Sequence, residues 1–145
     1  MKLLFVFLLS FIVLHASAQD SWMVCFDRKT VLTASTENTE KNVVRITTSD
    51  LQKKKNLIIC YKESTPQKNW ERIIIAYDDK DRELKKQTGT KFMLSAAELK
   101  TLLQQSKTIM FYTLYLPTDP KLKAQVRVRR VHLCTLIFFQ AASSI

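Results

Sequence analysis

Glycine is almost absent from this chain: Gly89 is the only one in 145 residues. No glycine-rich phosphate loop of either common kind can be built from it. With only three prolines besides, most turns fall to Asp, Asn, Ser, Lys and Pro rather than to glycine at positive φ. Histidine is as scarce. His15 lies in an apolar N-terminal run, which leaves His132 as the one imidazole of the remaining chain. A histidine-rich metal site is thereby excluded, and a nucleophile–histidine pair would have to use His132. Acidic residues are also few, 13 against 23 Lys and Arg. No cofactor and no metal are expected from these patterns.

The longest apolar run stands at the start. Lys2 precedes Leu3 through Leu14, interrupted by Ser10, and Ala16-Ser17-Ala18 follows. A charged end, an apolar middle of about a dozen residues and small residues at alternate positions form the layout of a secretory signal, too short for the roughly 20 residues of a membrane span. Residues 1–18 are thus expected to be removed, leaving 19–145 as one exported domain, periplasmic or extracellular. Without Lys2 the excess of 22 basic over 13 acidic residues is +9, which favours anionic partners. The expected partners are an anionic polysaccharide, an envelope surface or another protein, and export makes nucleic acid the least suitable.

Three cysteines remain, Cys25, Cys60 and Cys134, each inside an apolar β-like run. They allow one bridge plus a free thiol, or three thiols serving as small hydrophobes.

What the chain does carry is β-pattern. The segment 108–116, Thr-Ile-Met-Phe-Tyr-Thr-Leu-Tyr-Leu, is apolar on both alternating faces, with Met110, Leu114 and Leu116 on one and Ile109, Phe111 and Tyr115 on the other. That pattern predicts an inner strand covered above and below. Further runs over 21–26, 30–34, 43–48, 57–61, 70–78, 82–87 and 126–139 bring the number to about eight, the arm at 82–87 being charged enough for an edge. Residues 48–51 could close one helical turn. One helix is clear: Ser95 caps it, Glu98 completes a capping box, Leu94 and Leu99 form the staple, and Leu99, Leu102 and Leu103 line one face. The expected fold is a mainly antiparallel β-sandwich of roughly seven to eight strands with one short helix.

The basic residues near the C-terminal run are the sharpest candidate site. Read as strand, 126–139 places Arg127 and Arg129 about 7 Å apart on one face, where two guanidinium forks can grip one anionic group. Arg130, Lys121 and Lys123 lie beside them. Trp70, between Asn69 and Glu71, is the aromatic side chain most suited to ligand contact. Asp79, Asp81 and Glu83 alternate, but Lys80 and Arg82 stand between them and the spacing is not that of a calcium loop. The expected role is non-enzymatic binding or scaffolding at the cell envelope. The alternative is a small thiol-dependent hydrolase or redox protein in which His132 activates Cys134, its alternation neighbour.

Overall fold

The computed structural model describes residues 18–140; of the expected secretory signal only Ala18 falls within them, the rest lying outside the described residues, as do the C-terminal residues 141–145. The fold is a β-sandwich of nine strands in two sheets with three short helices. The first sheet has β1 (Ser21–Phe26), β2 (Lys29–Ala34), β4 (Leu57–Lys62) and β7 (Lys91–Leu94), in the order β2-β1-β4-β7. The second has β3 (Val43–Thr47), β5 (Trp70–Asp78), β6 (Glu83–Thr88), β8 (Thr108–Pro117) and β9 (Val131–Phe139), in the order β3-β9-β8-β5-β6. All pairings are antiparallel except β3 with β9, which run parallel. The helices are α1 (Thr48–Gln52), α2 (Ala96–Gln105) and α3 (Pro120–Gln125).

Strand β8 is the middle strand of the larger sheet, flanked by β5 and β9, so its two apolar faces are both used. Ile109 and Phe111 point into the sandwich and are fully buried. On the other face Leu114 and Leu116 pack with Ile73, Ile75, Tyr77 and Val128 in a second, smaller cluster. The main core joins the two sheets. Phe92 meets Phe111 edge to face at 5.3 Å, a contact worth about 1 kcal/mol beyond the area it buries. The Trp22 indole donates to the Leu133 carbonyl across the same layer at 2.8 Å. In β3, Val44 and Ile46 are buried and Arg45 and Thr47 exposed, as alternation predicts. The charged strand β6 is indeed an edge.

Helix α2 has the predicted cap. Ser95 accepts from the Glu98 amide and Glu98 returns a bond to the Ser95 amide, while Leu94, Leu99 and Leu103 are buried. The other two helices correct the expectation of one. Thr47 and Asp50 form a capping box that starts α1. Asp119 caps α3 and Pro120 fills its first turn, a combination that favours helix initiation because proline's missing amide has no partner to lose there. The expected strand over 126–139 is shortened accordingly: residues 126–130 are an extended connector from α3, and the strand begins at Val131. The ninth strand, β7, is four residues just before the α2 cap, too short for alternation to register. Among the described residues no helix is long and apolar enough to cross a membrane.

Candidate functional site

The basic residues expected to share a strand face do not. Lys121 and Lys123 are on α3, and Arg127, Arg129 and Arg130 follow on the connector. Three of the five meet acids of this chain. Arg129 pairs with Glu37, Arg130 with Asp81 at 2.8 Å, and Lys123 stands 3.9 Å from Glu71. Arg130 also lies over the Tyr112 and Tyr77 rings, 4.4 and 5.1 Å from their centroids. The connector is thus strapped onto the outer face of the larger sheet, and its arginines hold the strap. Arg127 and Lys121 have no acid within ion-pair distance among the described residues.

His132 and Cys134 are also parted. Cys134 pairs with Phe111 and His132 with Tyr112, so Leu133 is an extra residue in β9, a bulge. A bulge breaks the alternation on which the pairing of these residues relied. Leu133 and Cys134 both enter the core, fully buried, and His132 stays with Tyr112, ring against ring at 5.4 Å, on the outer face. Burial in apolar surroundings pushes the Cys134 thiol far above its ordinary value. It is a core residue. His132 is 3% exposed. Its amide donates to Glu37, its Nε2 lies 2.8 Å from the Thr135 hydroxyl, and its Nδ1 is buried without a partner. Burial lowers its pKa, with the Glu37 charge opposing.

Trp70 opens β5 half-buried, its ring on Tyr115 at 5.2 Å. It ends a stack that closes one end of the sandwich. Trp22 lies flat on Tyr61, and the Arg72 guanidinium sits between Tyr61 and Tyr115, 3.9 and 4.7 Å from the two rings. Arg72 is 7% exposed. Glu63 accepts from its Nε at 2.7 Å, the Thr113 hydroxyl from its Nη1 at 3.1 Å, and Asp20 stands 3.8 Å away. Asp20 in turn accepts from Tyr61 and from the Ser64 amide and hydroxyl. Burial alone would raise the Asp20 carboxyl, but the Ser64 and Tyr61 bonds and the Arg72 charge hold it below its ordinary value. Burial and the bond to Asp20 push the Tyr61 hydroxyl up to about 12. Trp70 therefore serves the fold more than an open platform.

A second set of cations, of which only Lys53 has an acid within ion-pair distance among the described residues (Asp50, 3.8 Å), converges elsewhere. The β1–β2 turn presents Arg28 and Lys29, β3 presents Arg45, and the loop after α1 presents Lys53 and Lys55. Lys29, Arg45, Lys53 and Lys55 edge a cleft of about 320 Å³ whose apolar wall is Phe26, Val31, Val43 and Val44. Lys29 and Lys55 continue it into an open depression with Asp27, Arg28 and Ile58. Among the described residues the acids that line these hollows are Asp27, which accepts from the Asn56 amide, and Asp50, whose carboxylate is bound to Thr47. Those Thr47 bonds lead the causes that hold the Asp50 carboxyl below its ordinary value. In the sequence, Lys53-Lys54-Lys55 and Asp27-Arg28-Lys29 read as solvated turns; only the antiparallel pairing of β1 with β4 brings the ends of the two turns side by side.

A second hollow of about 720 Å³ lies between α1 and α2, lined by Leu51, Ala97, Leu103 and Phe138, with Lys54 and Lys100 at its margin. Among the described residues no three His, Cys, Asp or Glu side chains converge as metal ligands would. No protein-family model, no curated protein and no solved structure matches this chain.

Proposed function

We propose that the chain is an exported, non-enzymatic β-sandwich that holds an anionic ligand at the cell envelope, an acidic polysaccharide being the class that fits best. The observation that carries this reading is the charge imbalance at the cleft. Four cations from three separate stretches, Lys29, Arg45, Lys53 and Lys55, face it, with Arg28 in the adjoining depression; of the two acids in reach, Asp27 and Asp50 both accept from backbone amides, and Asp50 pairs with Lys53 alone. Such a surface keeps its field for an outside partner. The apolar wall of the cleft suits the ring faces of a sugar, and the basic edge suits its carboxylates. The set Arg127, Arg129, Arg130, Lys121 and Lys123 becomes secondary because three of its members neutralise internal acids. The thiol-hydrolase alternative loses its support, since Cys134 and His132 belong to opposite faces of one sheet.

Binding of polygalacturonate at low ionic strength, with neutral dextran as comparison, tests the proposal. Lys29→Glu with Lys55→Glu should weaken binding at least about tenfold, and raising salt to about 0.5 M should abolish it, because exposed charges are screened beyond a few ångströms there. Lys121→Glu with Arg127→Glu should change it little. Equal binding of dextran, or indifference to the Lys29 and Lys55 reversal, overturns the proposal.

A further inference from the structure

The outer face of the four-stranded sheet gathers sulfur. Residues 18–140 contain six sulfur-bearing side chains, Met23, Cys25, Cys60, Met93, Met110 and Cys134, and the first four stand on this one face. In β1 the inward residues are Trp22 and Val24, which turns Met23 and Cys25 outward; in β4 the inward Leu57, Ile59 and Tyr61 turn Ile58 and Cys60 outward; in β7 Phe92 and Leu94 turn Met93 outward. Met23 and Met93 are 43% and 45% exposed, so no other described element lies over them. Both thiols are free and partly exposed.

The register sets the spacing. Met23 lies directly across from Cys60, Cys25 across from Ile58, and Ile58 across from Met93. Cys25 and Cys60 are therefore diagonal neighbours, with Met23 at the third corner of the triangle and Met93 diagonal to Cys60 on the far side. Diagonal positions stand about 7 Å apart, whereas a disulfide needs Cβ atoms about 4 Å apart, so these two thiols cannot bridge without moving the strands. A metal ion held at about 2.3 Å by two thiolates in a trigonal site sets the sulfurs about 4 Å apart, a span that two Cβ–Sγ bonds can reach from diagonal positions.

We propose that this face is a binding site for a soft monovalent cation, copper(I) as the biological case, held between the thiolates of Cys25 and Cys60 with the Met23 thioether as third ligand. Thiolate and thioether donors select copper(I), and the register positions around them supply no imidazole or carboxylate that would favour a harder ion. Binding releases one proton from each thiol, so two thiolates and one monovalent cation carry a net charge of −1. Lys91, directly across from Cys60, and Lys62, two residues beyond it on the same face, oppose that charge. Ile58 gives the site an apolar flank. Met93, diagonal to Cys60 on the next strand, is a flexible sulfur-bearing neighbour of the site.

Titration of the purified protein, reduced and kept from oxygen, with copper(I) in competition with a chromophoric copper(I) chelator tests this, with zinc(II) run in parallel. The expected result is one copper(I) per chain with a near-ultraviolet thiolate-to-metal absorption. It is lost in Cys25→Ser and in Cys60→Ser, weakened about tenfold in Met23→Leu, and unchanged in Met110→Leu. Circular dichroism establishes that each variant is folded. Failure to compete with the chelator, retention of copper by the Cys25→Ser/Cys60→Ser double variant, zinc bound as tightly, or a Cys25–Cys60 disulfide in the protein as recovered would each overturn the proposal.

Discussion

Arg72 is the residue whose loss should cost the fold most outside the apolar core. It reaches from the larger sheet towards the smaller one, is 7% exposed, and serves Glu63, Thr113, Asp20 and two tyrosine faces at once. Arg72→Ala removes the cation and leaves the Glu63 carboxylate, itself only 16% exposed, with no counter-charge in a largely buried position. Breaking a buried pair in this way costs about 3–5 kcal/mol, a large share of the roughly 5–15 kcal/mol that holds a domain of this size. Urea unfolding followed by tryptophan fluorescence reads it directly, because Trp22 and Trp70 sit at the two ends of the stack. In Arg72→Met the stem and much of the ring contact remain, and in Arg72→Met with Glu63→Gln the orphaned charge also goes. The double variant should therefore be more stable than Arg72→Met alone, with a coupling of about 2 kcal/mol across the cycle. An Arg72→Ala protein within about 1 kcal/mol of the parent, or a coupling near zero, would refute the claim that this ion pair closes the sandwich.

Three other outcomes follow from single environments. Thiol labelling of the metal-free, reduced native protein should count two reactive cysteines, Cys25 and Cys60, and a third only after unfolding; three in the native state would mean that Cys134 is not sealed in the core. His132 has a folded pKa below its ordinary 6.5, so the unfolded chain binds its proton first as pH falls, and stability should decline from about pH 6.5 downward. His132→Gln should flatten that slope in urea midpoints measured between pH 5 and 7, and an unchanged slope assigns it to other groups. Ser95→Ala deletes the hydroxyl that accepts the Glu98 amide and should cost about 1 kcal/mol, read as a lower urea midpoint with an unchanged slope; no shift would mean that Glu98 alone holds the start of α2.

How far the sequence could be read depended on how local the cause was. Strand β8 was legible because apolar side chains on both alternating faces have one common explanation, and the start of α2 because Ser95, Glu98, Leu94 and Leu99 satisfy each other within six residues. Helix α3 was readable in principle from Asp119 and Pro120, but the same proline also marks a strand end, and the alternation Val126-Arg127-Val128-Arg129 continued plausibly into the strand beyond it. That alternation has another origin: Val128 packs on Ile73, Ile75 and Leu116 while Arg129 and Arg130 find Glu37 and Asp81, partners 92 and 49 residues away. The His132–Cys134 pairing failed for a similar reason. A bulge is set by how β9 meets β8, and nothing between residues 131 and 136 announces it.

The same contrast bears on where function sits. The outer face of the larger sheet is covered by its own chain, its apolar residues under Val128 and three of its cations, Lys123, Arg129 and Arg130, on internal acids. The outer face of the smaller sheet carries Met23, Cys25, Ile58, Cys60 and Met93 with no described element above them, and Ile58 also borders the depression edged by Arg28, Lys29 and Lys55. Covering one face of a sandwich and leaving the other open costs apolar burial, at about 25 cal/mol for each Å² left in water. Exposed apolar side chains grouped on one sheet face, next to unpaired cations, are the observation on which both proposals rest. The basic cleft and the sulfur face thus form two adjoining parts of one open surface, and substitutions there should leave the fold intact while those at Arg72 or Phe111 do not.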